Sequence, residues 1–276
     1  MRARLLVLDI DGTLLTSRGV MSGATWRVLG ECHAEGVLLC LATARSGRIV
    51  FRPGEVPADA WFLRSRAICY GGGTIVDESR GFYQHTPIPG HLVAEVVDAV
   101  GRSDDQLQIA LQHDDIYHAF KHRMTAEELE PWGFRSTEIL AFAAARKRPA
   151  TKIMVYSGTD VRRLDADLSH LHEAMCRDFG DAVNVVLADS RKALYILSRH
   201  ASKGNAVRTV AGLHGIPSEQ VAVFGDDTSD ASMFGCFGYS VAMGNAVDSL
   251  KAAATFVTRT NDDEGLEFAI RSYLEL

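Results

Sequence analysis

Two groups of aspartates stand where buried strands are expected to end. Asp9 and Asp11 lie at the end of the first apolar run of the chain, Leu5 to Ile10. The second group, after the apolar run 220–224, consists of Asp226, Asp227 and Asp230. Because the carboxyl ends of parallel strands form the ligand crevice of an open sheet, the two groups are expected to meet. Carboxylates about 4 Å apart repel by roughly 4 kcal/mol at a surface-like dielectric. A cation is therefore expected between them, and oxygen ligands favour Mg²⁺.

Phosphoryl transfer is the chemistry that most needs such a site, since a metal offsets the charge of the phosphate and lets an anionic nucleophile approach. An aspartate such as Asp9 can attack phosphorus and form an aspartyl-phosphate. A second carboxylate two residues on, Asp11, can protonate the leaving alcohol and later deprotonate water. Thr43, after the second strand, and Lys203, at a helix start, are placed to hold the transferring oxygens.

Strands and helices alternate at both ends of the chain, whereas the middle has a different pattern. The alternation predicts an α/β protein with a Rossmann-like, doubly wound parallel-sheet core. In the middle, two strand-like runs joined by His113-Asp114-Asp115 form a hairpin pattern, which predicts an inserted α+β cap domain. The predicted boundaries are 1–84 for the first core segment, 85–198 for the cap and 199–276 for the second core segment. The cap is expected to close over the site and exclude water.

Two features of the predicted cap have both a structural interpretation and a functional alternative. His113 and His118, with the two aspartates between them, could form a metal cluster, but a solvated hairpin turn is the preferred interpretation. The basic run 146–148 is interpreted as a solvated face, and the sharper alternative is contact with an anionic substrate. A helix with an apolar face is predicted after Gly90, and a second helix is predicted over 160–177.

Four short motifs resemble those of the haloacid dehalogenase superfamily. They are Asp9-Ile10-Asp11-Gly12-Thr13-Leu14, Leu41-Ala42-Thr43-Ala44-Arg45, Ser202-Lys203-Gly204-Asn205-Ala206 and Phe224-Gly225-Asp226-Asp227-Thr228-Ser229-Asp230. Their order, the large insertion between the second and third, and the segment 241–246 are similar to the Cof-type branch, which carries an α/β cap over a Rossmann-like core. The resemblance implies a Mg²⁺-dependent phosphoric monoester hydrolase acting on a sugar phosphate or a similar small metabolite.

The resemblance also implies a role for each matching position. Asp9 would be the nucleophile and a magnesium ligand. Asp11 would be the general acid/base and would bind the metal through its backbone carbonyl. Asp226 would complete the protein ligands of the metal. The phosphoryl-binding positions would be Ile10, Thr43, Ala44, Lys203 and Ser229. The supporting positions would be Thr13, Asp227, Asp230 and Asn245.

Three positions depart from the family pattern. Ser229 stands where the fourth motif usually has Asn, Ala44 where the second usually has Gly, and Gly71-Gly72 where an Asn-Gly usually follows the third strand. Two alternative functions stay open at this point. A phosphomutase would move phosphate within a sugar, and a non-catalytic regulator would bind a sugar phosphate without turning it over.

The bulk composition limits the partners and the compartment. The chain has 276 residues, a net charge of −6 and 47% hydrophobic residues, so a packed core is expected and a nucleic-acid partner is not. Its five cysteines are widely spaced, which argues against a disulfide framework and favours a reduced, cytoplasmic compartment. The N-terminal apolar run is too short for a signal peptide or a membrane span. The oligomeric state is not indicated.

Overall fold

The structure is a computed structural model that describes residues 2–50, 61–122, 124–129, 134–158, 166–189 and 191–274. The chain divides into two compact units. The first unit joins Met1–Gln84 to Lys203–Leu276, and the second is the continuous segment His85–Ser202. Each unit has its own β-sheet and its own buried apolar cluster.

The strands and helices are as follows. The strands are β1 (Leu5–Leu8), β2 (Leu38–Ala42), β3 (Arg66–Cys69), β4 (Thr74–Asp77), β5 (Phe82–His85), β6 (Gln108–Gln112), β7 (His118–Phe120), β8 (Lys152–Tyr156), β9 (Val183–Ala188), β10 (Ala193–Ser198), β11 (Val221–Gly225), β12 (Tyr239–Ala242) and β13 (Phe256–Val257). The helices are α1 (Gly23–Ala34), α2 (Gly47–Val50), α3 (Trp61–Arg64), α4 (Gly90–Ser103), α5 (Ala126–Leu129), α6 (Phe142–Ala145), α7 (Ser169–Phe179), α8 (Lys203–Leu213), α9 (Asp248–Ala253) and α10 (Gly265–Tyr273).

The first unit is built on an eight-stranded sheet in the order β13-β12-β11-β1-β2-β3-β4-β5. The strands from β13 to β3 are parallel, as the alternating pattern predicts. Central strand β1 is buried along its whole length, which explains its continuous apolar run. The predicted α/β fold class, with a doubly wound parallel core, is thereby confirmed.

The edge of this sheet beyond β3 differs from the prediction. Strand β4 pairs antiparallel with β3, and β5 lies beyond it. These two strands were not predicted from the sequence. Strand β4 ends in Asp77 and β5 ends in Gln84 and His85, so neither forms the continuous apolar run of a strand buried on both faces. A short connection returns the chain antiparallel.

The second unit is built on a five-stranded antiparallel sheet in the order β7-β6-β8-β10-β9. Helices α4 and α7 bury apolar side chains in the same cluster as one face of this sheet. On α4 these side chains are Leu92, Val93, Val96, Val97 and Val100, all buried, at the spacing of one helix face. The predicted helix over 160–177 is observed as Ser169–Phe179, and the positions 160–165 lie outside the described residues.

The interpretation of the His113–His118 segment as a fully solvated turn is wrong for its histidines. Asp114 does form the turn, because its Oδ1 accepts hydrogen bonds from the backbone N–H groups of Ile116 and Tyr117. His113 and His118, however, are both buried. A ring nitrogen of His113, Nδ1, lies 2.7 Å from the carbonyl oxygen of Pro149. Burial of these rings depends on segments distant in the sequence, so the local pattern does not reveal it.

Candidate active site

The register of the core sheet brings acidic strand ends to one level. Leu8 of β1 pairs with Phe224 of β11 on one side and with Leu41 of β2 on the other. The residues that follow these pairs leave the sheet at the same edge, where α/β proteins bind their ligands. Asp9 and Asp226 therefore emerge side by side, although the sequence separates them by more than two hundred positions.

Lys203 is the first residue of α8, and its ammonium group lies between two carboxylates. Its Nζ is 2.6 Å from Oδ1 of Asp9 and 2.6 Å from Oδ1 of Asp230. All three side chains are buried. Burial alone would lower the pKa of Lys203, but the charges of Asp230 and Asp9 and their hydrogen bonds outweigh it and raise the pKa above its ordinary value. Lys203 is thus a charged group with two of its three donor hydrogens in use.

Asp230 uses both of its oxygens to hold this arrangement together. While Oδ1 accepts from Lys203, Oδ2 accepts from the backbone N–H of Asp226 at 3.0 Å and of Asp227 at 3.2 Å. A Cβ added to Gly225 would lie 2.6 Å from the Asp230 carboxylate. Only a glycine at that position leaves room for the carboxylate to reach both backbone groups.

Asp9, Asp226 and Asp230 form a cluster whose negative charge exceeds the single positive charge of Lys203. Each offers a carboxylate oxygen, and these oxygens lie within 4.8 Å of one another. Burial raises the pKa of Asp9 well above its usual value; Asp230 and Asp226 raise it further, against the lowering effect of Lys203. Burial and Asp230 likewise raise the pKa of Asp226 to about 7. One ammonium does not balance three carboxylates, two of them buried and that of Asp226 half-buried, so this donor set fits a divalent cation.

The loop after β1 packs directly against Asp226. Gly12 has a φ of +77°, and a Cβ there would lie 2.2 Å from Oδ2 of Asp226. Thr13 donates from Oγ1 to Oδ1 of the same carboxylate at 3.1 Å. Asn245 donates from Nδ2 to the carbonyl oxygen of Gly12 at 2.8 Å, and its own Oδ1 accepts from the N–H of Asn261. Asn261 was missed by the sequence analysis, since no motif marks it.

Asp11 is turned toward Arg45. Its two oxygens accept from Nε of Arg45 at 2.8 Å and from Nη2 at 2.5 Å, a fork-to-fork ion pair. The Asp11 side chain is 62% exposed, whereas Arg45 is 24% exposed. Arg45 belongs to the second motif, but this partner was not predicted from the sequence, because the pair joins two loops 34 positions apart.

The other predicted site residues lie on the loops at these strand ends. Thr43 is buried, and its hydroxyl accepts from the backbone N–H of Arg45 at 3.1 Å. Ile10 is buried beside the β1 loop, and Ala44 is half-buried. Ser229 lies in the helical turn Thr228–Met233 and Asp227 directly before it, and both are half-buried. Within the described residues, the Asp9 cluster is the one group of three acids, histidines or cysteines that could hold a metal ion.

The fold and this site define an α/β protein with a cluster of carboxylates at the carboxyl edge of its parallel sheet, and comparison with known proteins identifies the family. The sequence model of the haloacid dehalogenase-like hydrolases matches residues 6–270. The chain belongs to this family. The predicted Cof-type resemblance and enzyme class are confirmed, since curated relatives matching along nearly the whole chain are named phosphatases.

Three similar proteins illustrate the relationship. A relative from Haemophilus influenzae is 41% identical, covering 94% of this chain and 93% of its own. The 5-amino-6-(5-phospho-D-ribitylamino)uracil phosphatase YitU of Bacillus subtilis is 24% identical, covering 99% of this chain and 98% of its own. The solved structure of the subclass IIB sugar phosphatase BT4131 has a TM-score of 0.81 at 18% identity, covering 98% of this chain and 99% of its own, and so shares the fold.

Among the helices of the described residues, none combines the length and the apolar character that crossing a membrane requires.

Proposed function

We propose that this protein is a Mg²⁺-dependent phosphatase that hydrolyses a small phosphate monoester through an aspartyl-phosphate on Asp9. The observation that carries the proposal is the buried Asp9 carboxylate, held at 2.6 Å by Lys203 within a cluster of three acids that this one ammonium does not balance. Such a group is both a nucleophile and a metal ligand in need of its cation.

The metal would be held by the carboxylates of Asp9 and Asp226 and by the backbone carbonyl of Asp11. Magnesium keeps several open positions for water and phosphate oxygens, and its charge makes the phosphoryl group accessible to an anion. Asp230 is not needed as a ligand, because both of its oxygens are engaged by Lys203 and the backbone. Thr13 and Gly12 keep the Asp226 carboxylate aimed at the site.

Lys203 and the strand-end loops would bind the phosphoryl group. Two hydrogens of the Lys203 ammonium point to Asp9 and Asp230, which leaves the third for a phosphoryl oxygen. The Thr43 hydroxyl accepts from a backbone N–H, so its own hydrogen remains available to donate. Ser229 and the backbone of Ile10 and Ala44 are assigned the remaining contacts, on the strength of the motif match.

The reaction would proceed in two steps. An Asp9 oxygen attacks phosphorus, the bond to the leaving oxygen breaks, and Asp11 donates a proton to that oxygen, releasing the alcohol. Water then attacks the aspartyl-phosphate while Asp11 accepts its proton, and the bond between phosphorus and Asp9 breaks, releasing phosphate and restoring the carboxylate. For the proton steps the Asp11 carboxylate leaves its ion pair with Arg45.

The substrate class is proposed from the relatives and from the second unit. YitU and a second relative from Bacillus subtilis, YwtE, which is 26% identical, are named for a phosphorylated ribityl compound, which favours a phosphorylated sugar or polyol as the substrate of this protein. We assign residues 85–198 as an inserted cap domain that supplies substrate contacts, because the predicted catalytic, metal-binding and phosphate-binding residues all lie in the first unit and the second carries a separate sheet.

The test is hydrolysis of p-nitrophenyl phosphate, followed by release of p-nitrophenol. Activity is expected with Mg²⁺, loss of activity with EDTA, and recovery when Mg²⁺ is returned in excess. Asp9→Asn is expected to lower kcat by roughly 10⁴-fold or more, the scale on which loss of a nucleophile acts, while the exposed-site control Asp181→Asn leaves it unchanged. Full activity in Asp9→Asn, or in EDTA, would refute the proposal. With sugar phosphates, free phosphate identifies a phosphatase and isomeric products identify a mutase.

A further inference from the structure

The second unit contains a cleft that the proposed chemistry does not use. Its volume is about 290 Å³, near the lower end of the range of small-molecule pockets, which is roughly 300 Å³. Helix α4 forms one wall, and residues on β6, at the end of β7 and around α6 form the rest. The apolar part of the lining is provided by Val97, Ile109 and Phe142.

The charged part of the lining is unbalanced. Three cationic side chains line the cleft, Arg102, Lys121 and Arg146, against one acid, Asp98. Arg146 forms an ion pair with Asp98 and donates to the carbonyl oxygen of Ala94 at 3.4 Å. That pair neutralises one of the three positive charges and leaves the other two.

The remaining two cations have no carboxylate partner within the described part of the chain. Lys121 donates from Nζ to backbone carbonyl oxygens, that of Leu107 at 3.0 Å and that of Asp105. These carbonyls fix the ammonium group without cancelling its charge. Arg102 is exposed at the rim and forms no hydrogen bond or ion pair with the described residues. Two uncompensated positive charges beside an apolar wall favour a ligand that is anionic at one end and apolar in its body.

We propose that this cleft binds a small organic anion: a carboxylate, sulfonate or phosphate attached to a compact apolar or aromatic body. Arg102 binds the anionic group, Lys121 adds to the attraction, and Val97, Ile109 and Phe142 contact the body. The proposal does not depend on the phosphatase assignment, since none of the cleft residues belongs to the Asp9 cluster.

Naphthalene-1-sulfonate is a suitable probe, with binding to the full-length protein followed by isothermal titration calorimetry. Two matched compounds separate the contributions. The neutral 1-naphthalenemethanol keeps the body without the charge, and methanesulfonate keeps the charge without the body. Saturable binding of the probe is expected, with affinity at least about tenfold weaker for either matched compound, as expected when one charge-assisted contact or the apolar contact is lost.

Two variants place the binding in the cleft. Arg102→Ala is expected to lower the affinity for the probe by roughly tenfold to a hundredfold, because it removes the charge-assisted contact. Its control is Arg177→Ala, which removes an exposed arginine of α7. Gly101→Leu is expected to abolish binding, because Gly101 lines the cleft on α4 and a Cβ there meets nothing within 4 Å. Its control is Gly30→Leu on α1, where a Cβ also meets nothing within 4 Å.

The outcomes are distinct. The proposal is supported when the probe binds saturably and both cleft variants weaken it while both controls bind as the unmodified protein does. It is overturned when the probe does not saturate, or when Arg102→Ala and Gly101→Leu bind it unchanged. Melting temperatures of all four variants are measured alongside, so that a loss through unfolding is recognised and Arg102→Ala, an exposed change, then decides.

Discussion

Removing the Lys203 ammonium should destabilise the metal-free protein strongly. Lys203→Met keeps an unbranched side chain of similar length and deletes the positive charge. In the structure that charge lies 2.6 Å from Oδ1 of Asp9 and 2.6 Å from Oδ1 of Asp230, with all three side chains buried. The substitution therefore leaves two buried carboxylates facing each other without a cation.

The magnitude follows from the burial of the group. Breaking a buried ion pair by removing one partner costs about 3–5 kcal/mol, because the other charge remains desolvated. Lys203 is 1% exposed, so solvent screening does not reduce this figure. The raised pKa of Lys203 sets the pH window. A lysine whose pKa is raised in the folded protein stabilises the fold fully below its unfolded pKa of about 10.4. This stabilisation is lost as the pH rises through the pKa of the folded state. The full effect is thus expected at pH 7.

The measurement is urea unfolding at pH 7 in EDTA, followed by circular dichroism, for the single variants Lys203→Met and Asp230→Asn and for the double variant. We expect Lys203→Met to lower the free energy of unfolding by about 3–5 kcal/mol. The double variant should lose less than the sum of the two single losses, by about 1–3 kcal/mol, because the residues are in direct contact. The exposed change Lys192→Met should stay within about 0.5 kcal/mol of the unmodified protein.

Two results would contradict this reasoning. A loss below about 1 kcal/mol for Lys203→Met would place the ammonium in a solvated site, where ion pairs contribute little. Strict additivity in the double variant would mean that Lys203 and Asp230 do not interact in solution.

Two further predictions concern Gly12, beside Asp226, and the buried Asp77 at the end of β4. Gly12→Ala should lower the free energy of unfolding by more than about 1 kcal/mol and weaken Mg²⁺ binding in calorimetry, because the position has a φ of +77° and a Cβ there would lie 2.2 Å from Asp226. Unchanged metal affinity would contradict this prediction. The control is Gly30→Ala on α1, where a Cβ meets nothing within 4 Å. Asp77→Asn should cost about 1.5–3 kcal/mol at pH 7. Burial alone would raise the pKa of Asp77, but hydrogen bonds with Ser79 and His214 and the charge of Arg66 lower it. An acid whose pKa is lowered in the folded protein stabilises the fold above its unfolded pKa of about 3.9, and this stabilisation is lost as the pH falls. The difference in free energy of unfolding between Asp77→Asn and the unmodified protein should therefore shrink below about pH 4 in acid titrations. A difference that does not change with pH would refute the ionised, hydrogen-bonded state of Asp77.

Local patterns in the sequence were sufficient for the fold class and for the chemistry expected of the strand ends. A strand buried on both faces has a continuous apolar run, as β1 has, and the helix face of α4 repeats at a helical spacing. The carboxyl ends of parallel strands lie at one edge of a sheet, so the order of strands in the sequence is enough to predict that the acids after β1 and β11 meet. Strands β4 and β5 are not detected in this way, because each ends in polar residues and lacks a continuous apolar run.

Only the tertiary structure decided how the charges near Asp9 are balanced. A pattern places Lys203 at a helix start, but its two partners lie 194 and 27 positions away, and which acids it contacts depends on how loops pack. The Asp11–Arg45 pair and the burial of His113 and His118 have the same origin. The sequence by itself determined which chemical groups gather at the sheet edge, because periodicity and strand direction are local properties. Hydrogen-bond partners and desolvation are properties of the packed chain, since they require distances between residues that the sequence keeps far apart.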